Sequence, residues 1–287
     1  MKNIKKYVGA ILLYGFVFVT ALWFFVVTGF DGEALILKLQ AAAAQRTPVK
    51  LDIGAARVSF PASVNFRGVT VSDNAEKLLR FKNLTVNIKL ASLLFARPTL
   101  GFITKSGDGF MKLDVSSIGF SGKNSRIKLY GKNYTLDKTL ASMGGQDFPL
   151  HAELDAEGTL ELQGNSFKKA AGKLKINLKN PKMDEGFFNG LLKNFSAKSV
   201  SCEVTLENRM LKTDGCMAET SEGKFELRVS SRLANLIGAT PLRGLVVITP
   251  DSGLLKKLLS LYPKYRKPNG KYHIPLKGSF NNPRIDL

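Results

Sequence analysis

Residues 172–180 read Gly172-Lys173-Leu174-Lys175-Ile176-Asn177-Leu178-Lys179-Asn180, an unbroken alternation of polar and apolar side chains bounded by turn-forming residues. Side chains of an extended strand point alternately to opposite faces, so this stretch predicts a strand with one basic face and one apolar face. The same texture extends in both directions. Upstream, Val49, Leu51 and Ile53, then Val64 and Phe66, Val69 and Val71, and Leu84, Val86, Ile88 and Leu90 alternate with polar residues. RIKLYG (126–131) and HAELDAEGTLELQG (151–164) precede the quoted stretch, and SCEVTLEN (201–208), KFELRVSS (224–231) and RGLVVITP (243–250) follow it. Gly, Asn, Asp or Pro separates them at hairpin spacing, which predicts an antiparallel β body over residues 48–287.

Helical patterns interrupt this body in few places. Leu35, Ile36 and Leu39 followed by Ala41 to Ala44 predict a juxtamembrane helix over 31–47, closed by Pro48. Phe187, Phe188, Leu191, Leu192 and Phe195 fall at i, i+1, i+4, i+5 and i+8, and Leu254, Leu255, Leu258, Leu259 and Tyr262 repeat the spacing. Both sets predict short amphipathic helices that either cover the sheet or lie on a membrane.

At the amino terminus, Lys2, Lys5 and Lys6 precede an uncharged run from Tyr7 to Phe30, long enough as a helix to cross a hydrocarbon core of roughly 30 Å. The run exceeds the about 7 to 15 apolar residues of a signal peptide and lacks its small-residue cleavage site. An uncleaved anchor over 7–30 is therefore expected. The lysines before it and Asp31 and Glu33 after it put residues 1–6 in the cytoplasm by the positive-inside rule. In a bacterium the chain would be a single-pass inner-membrane protein in contact with membrane lipids, with its bulk in the periplasm.

Composition narrows the chemistry. The 287 residues carry 42 basic and 23 acidic side chains, a formal charge of +19, with 44% hydrophobic residues, which excludes wholesale disorder. Two histidines and two cysteines exclude zinc-finger arrays and multi-histidine metal centres. Phe (19) far outnumbers Tyr (7) and Trp (1), and the lysines alternate with apolar residues instead of clustering with arginine. Neither feature suits nucleic acid. Anionic headgroups or an acidic partner suit the basic face better. No catalytic constellation emerges: His151 and His273 sit in strand-like alternation, Asp155 and Glu157 share a strand face as such acids commonly do, and no phosphate loop or zinc motif occurs. No cofactor and no enzymatic activity are expected, and the pattern leaves oligomeric state open.

Cys202 and Cys216 flank a candidate hairpin. A three-residue loop at Asn208-Arg209-Met210 would set them opposite each other, where a disulfide could form, but would pair Leu206 with Lys212. A two-residue turn would pair Leu206 with Leu211 and leave the cysteines one residue out of step. Disulfide and buried thiols both stay open on this pattern, whereas a redox-active pair lacks its C-x-x-C spacing.

Two segments resemble known families. Residues 49–98 resemble the amino-terminal β-unit of AsmA-like proteins, through G-V-T-V-S-D (68–73) and L-x-V-x-I-x-L-x-S-L-L-x-x-x-P (84–98). Residues 270–285, Gly-Lys-Tyr-His-Ile-Pro-Leu-Lys-Gly-Ser-Phe-Asn-Asn-Pro-Arg-Ile, resemble the closing segment of the protein N family of type II secretion systems. The second resemblance implies a non-enzymatic inner-membrane component that contacts other secretion subunits. The first implies a large curved antiparallel sheet, as a groove or a sandwich, that shields lipid acyl chains. Val86, Ile88, Ile176, Leu178 and Val247 are the expected lining of such a groove.

Overall fold

Extended chain must pair its backbone groups, and here it does so by folding back on itself strand after strand. The computed structural model describes residues 29–46, 49–59, 62–73, 76–89, 92, 97–118, 124–136, 150–164, 166–183, 195–234, 240–279 and 282–285. Helix α1 (Gly32–Arg46) is followed by β1 (Val49–Ser59), β2 (Ser63–Asp73), β3 (Glu76–Ile88), β4 (Thr99–Ser106), β5 (Gly109–Ile118), β6 (Asn124–Leu136) and β7 (Leu150–Gln163). Then come β8 (Ser166–Met183), β9 (Phe195–Glu207), β10 (Met210–Thr220), β11 (Gly223–Arg232), β12 (Gly244–Pro250), helix α2 (Gly253–Ser260), β13 (Tyr272–Ser279) and β14 (Asn282–Ile285). All fourteen strands form one sheet in chain order. Every ladder is antiparallel.

The mainly β body is thus a single antiparallel meander. Among the described residues, every substantial contact between strands joins neighbours in the order, apart from a small one between β4 and β6. That excludes the sandwich, which needs a second layer of strands facing the first. The β4–β6 contact across β5 shows the sheet curling there. Register shifts interrupt the β2–β3, β6–β7, β7–β8, β9–β10 and β10–β11 ladders, and such bulges bend and twist a sheet.

The β9–β10 hairpin resolves the cysteine register. Asn208 and Arg209 both take positive φ (47° and 66°), a two-residue turn of the primed type, and Leu206 pairs with Leu211. The ladder then runs in step to Asp214 opposite Glu203 and resumes at Met217 opposite Ser201, so Gly215 and Cys216 together oppose Cys202. Gly215 has φ +64°, the left-handed conformation of a glycine bulge. This one extra residue brings the cysteines face to face, and they form a disulfide with Cα atoms 3.8 Å apart.

Both helices lie on the sheet's apolar face. The Asp31 carboxylate accepts the Ala34 N–H at 2.9 Å and starts α1, whose Leu35, Ile36 and Leu39 pack on Ile53, Phe66 and Val69. The expected helix over 31–47 is therefore present. Ser252 caps α2 by accepting the Leu255 N–H, and Leu255 and Leu259 pack on Ile248, Tyr272 and Ile274. Two residues assigned to helices by their spacing belong elsewhere. Phe195 opens β9 opposite Met183, because strand pairing overrides the local helical period. Tyr262 lies beyond Leu261, which caps α2.

Phe187, Phe188, Leu191 and Leu192 lie outside the described residues, as do the expected cytoplasmic tail 1–6 and the expected anchor span 7–30 up to residue 28. Among the described residues no helix is long and apolar enough to cross a membrane.

Candidate functional site

Residues directly opposite each other in an antiparallel ladder share a face, so the registers trace continuous rows across the sheet. One row runs Ala56, Phe66, Leu84, Thr104, Met111, Gly131, Ala156, Ile176 and Cys202, then through the disulfide to Cys216, Leu227, Val246 and Ile274. It crosses thirteen strands, and its single hydroxyl, Thr104, donates to the Asn83 carbonyl at 2.9 Å. A second row runs Tyr134, Leu154, Leu178, Val200, Ala218, Phe225, Ile248 and Tyr272. A third joins Val64, Val86, Phe102, Leu113 and Leu129, and a fourth joins Ile88, Leu100, Val115 and Ile127.

Four of the five residues expected to line a groove, Val86, Ile88, Ile176 and Leu178, therefore share one apolar face. Val247 does not. It pairs with Glu226 and His273, while its neighbours Val246 and Ile248 take the apolar face. Leu245 to Ile248 is apolar throughout, so local alternation carries no phase, and the partner strands decide which side each residue takes. Phe66, Leu129, Leu154 and Leu174, which fall in the alternating stretches of the sequence, share the face, and Met111 and Leu113 of β5 join it through their partner strands.

Coverage of this face is uneven. Helix α1 covers it at β1 and β2, and α2 covers it at β12 and β13. Tyr134, Leu136, Ala152, Leu154 and Ala156 form a buried cluster with Met111, Leu129, Ile176 and Leu178 packed against it. Across β3 to β6 the remaining apolar side chains are half-exposed, and Ile88 and Leu100 are 46% and 42% exposed. No described helix lies over β4 to β10.

The opposite face is a lattice of charge. The Asp155 carboxylate accepts the Asn133 backbone N–H at 2.7 Å and pairs with Lys179 at 2.8 Å, and these bonds hold its carboxyl below the ordinary range and Lys179 above its own. Lys173 at 2.5 Å, with Lys175 at 3.6 Å, lowers Glu203 in the same way. Arg126 pairs with Glu161 and Arg228 with Glu226, both at 2.7 Å. A shallow trough of about 690 Å³ crosses β6 to β10 on this side, lined by Tyr130, Lys132, Glu157, Lys175, Ser201 and Asp214 among others.

Asp155 is thus held ionised within the sheet, the opposite of what a general acid needs. His151 lies opposite Lys182 and His273 opposite Val247, on separate strands. Among the described residues no three His, Cys, Asp or Glu side chains converge as a metal site requires.

Comparison of the chain with protein-family models, curated proteins and solved structures finds no match.

Proposed function

We propose that the chain is a non-enzymatic bacterial envelope protein, tethered by residues 7–30, whose apolar sheet face shields lipid acyl chains. The observation that carries this reading is the row from Ala56 to Ile274: thirteen strands present one apolar face, and no second layer of described strands covers it. A sheet in water would normally bury such a face against another element. A hydrocarbon chain laid across the strands would remove the exposed Ile88 and Leu100 from water, while the charged reverse face stays hydrated.

A role in type II secretion is the second reading, favoured by the residues resembling protein N. Of these, Tyr272–Ser279 and Asn282–Ile285 form β13 and β14, and β14 ends the order of described strands, an edge that suits strand addition by another subunit.

In-cell photo-crosslinking tests the first reading. Photoreactive residues at Val86, Ile88, Ile176 and Leu178 should give phospholipid adducts, while Met217, 49% exposed on the charged face, should not. Equal adducts from both faces, or protein adducts alone from the apolar positions, would refute lipid shielding. Secretion-subunit adducts at Arg284 on β14 would support the second reading.

A further inference from the structure

Helix α2 turns Leu255 and Leu259 onto the sheet and leaves other leucines in solvent. Leu259 is 6% exposed, whereas Leu258 is 52% and Leu261 71% exposed. Residues three apart lie side by side on a helix, so Leu258 and Leu261 form one apolar ridge flanking the sheet contact.

The surroundings of this ridge are basic. Lys256, Lys257, Lys264, Arg266 and Lys267 all lie on the same segment and all are exposed, and no acidic residue occurs from Ser252 to Lys271. Lys264 lies over the Tyr265 ring at 4.6 Å. Three described acids adjoin the segment: Glu222 accepts the Ser252 hydroxyl at the start of the helix, Asp251 precedes that cap, and Glu226 on β11 interacts with Lys271. Exposed leucines and lysines on one short element suit the boundary between headgroups and acyl chains, and the excess positive charge selects an anionic surface.

We infer that Ser252–Lys267 is a docking element for the surface of an anionic phospholipid bilayer, with Leu258 and Leu261 entering the headgroup layer and the five basic residues contacting phosphates. The ridge is the solvent side of a helix whose other side covers the sheet at β12 and β13, and the inference stands whether or not the uncovered part of the apolar face carries lipid. Its position adds a direction. Helix α1 rests on β1 and α2 on β12, eleven strand spacings apart, about 50 Å along the sheet. The surface that α2 meets therefore lies at the far end of the sheet from the helix that follows the expected anchor.

The test uses the full chain held in zwitterionic phosphatidylcholine nanodiscs, mixed with protein-free vesicles containing about 30% phosphatidylglycerol, with co-flotation as the readout. The discs should float with these vesicles and not with pure phosphatidylcholine vesicles, and raising salt to about 0.5 M should weaken capture. Leu258→Ser/Leu261→Ser should reduce capture about tenfold, and Lys256→Gln/Lys257→Gln should reduce it while retaining the leucines. All four positions are exposed, and an unchanged circular dichroism spectrum verifies folding. Equal capture by neutral vesicles, or undiminished capture by both variants, would overturn the proposal. Self-association lost in the leucine variant, without vesicle capture, would replace it with a contact between two copies of the chain.

Discussion

Cys202 faces Cys216 only because Gly215 is held in a bulge beside it, so that two residues of β10 answer one of β9. Bulge and bond are expected to stabilise the same hairpin. Replacing both cysteines by serine removes a crosslink between residues 14 apart and should cost about 3 kcal/mol, read as a lower urea midpoint. Gly215→Ala isolates the backbone, because an added Cβ meets nothing within 4 Å while φ stays at +64°. It should cost about 1 kcal/mol. Wild-type stability in that variant would contradict the left-handed bulge.

Asp155 sets an acid limit on the middle of the sheet. The Asn133 N–H and Lys179 depress its carboxyl in the folded state, so its contribution is complete above the ordinary value of 3.8 and fades as pH falls through the folded value below it. Asp155→Asn keeps an acceptor for Asn133 but removes the titration. The variant should lose less stability than wild type between about pH 5 and pH 2.5 in parallel urea titrations, and identical slopes would exclude this linkage.

Gly158 and Gly172 lie on the apolar face, each opposite a leucine that leans over it. A Cβ at Gly158 would lie 2.9 Å from Leu174 Cδ1 and from the Lys173 carbonyl, and one at Gly172 would lie 2.9 Å from Leu160 Cδ1. Gly158→Val therefore gains strand propensity but forces Leu174 and the backbone aside, and should destabilise by about 1–3 kcal/mol. A stabilised variant in calorimetry would mean that the two strands separate more easily than the registers suggest.

Helix α1 offers an internal comparison. Leu39 packs on the Ile53, Phe66 and Val69 cluster, whereas Leu37 is 66% exposed. Leu39→Ala should cost about 1–2 kcal/mol and speed hydrogen exchange through 32–46, and Leu37→Ala should stay within about 0.5 kcal/mol. Equal effects would show that α1 does not dock as described.

The strands quoted from the sequence and helix α1 were legible because each carries a period, two or 3.6, written in its own residues. Legibility fails where the deciding interaction comes from another strand. Val247 sits in a run that is apolar on both faces, and only Glu226 and His273 opposite it fix its side. Phe195 continues a helical spacing, yet its backbone pairs with Met183. The cysteine pairing needed a turn at Asn208-Arg209 and a bulge at Gly215 together, and neither is implied without the other. The candidate groove was legible as a set of apolar positions. That they stand in one layer, without a facing sheet of described strands, is a property of topology that alternation does not encode.

Chain-order pairing also bears on how the molecule is made. Each strand finds its partner in the segment just synthesised, so sheet growth can follow emergence of the chain, one hairpin at a time, with no distant segment to await. Stability in such a ladder is close to a sum of nearest-neighbour terms, as in repeat proteins. A chain halted after any hairpin would already hold a shorter sheet with a new open edge, and the disulfide at β9–β10 would lock the growing end before the last four strands were added.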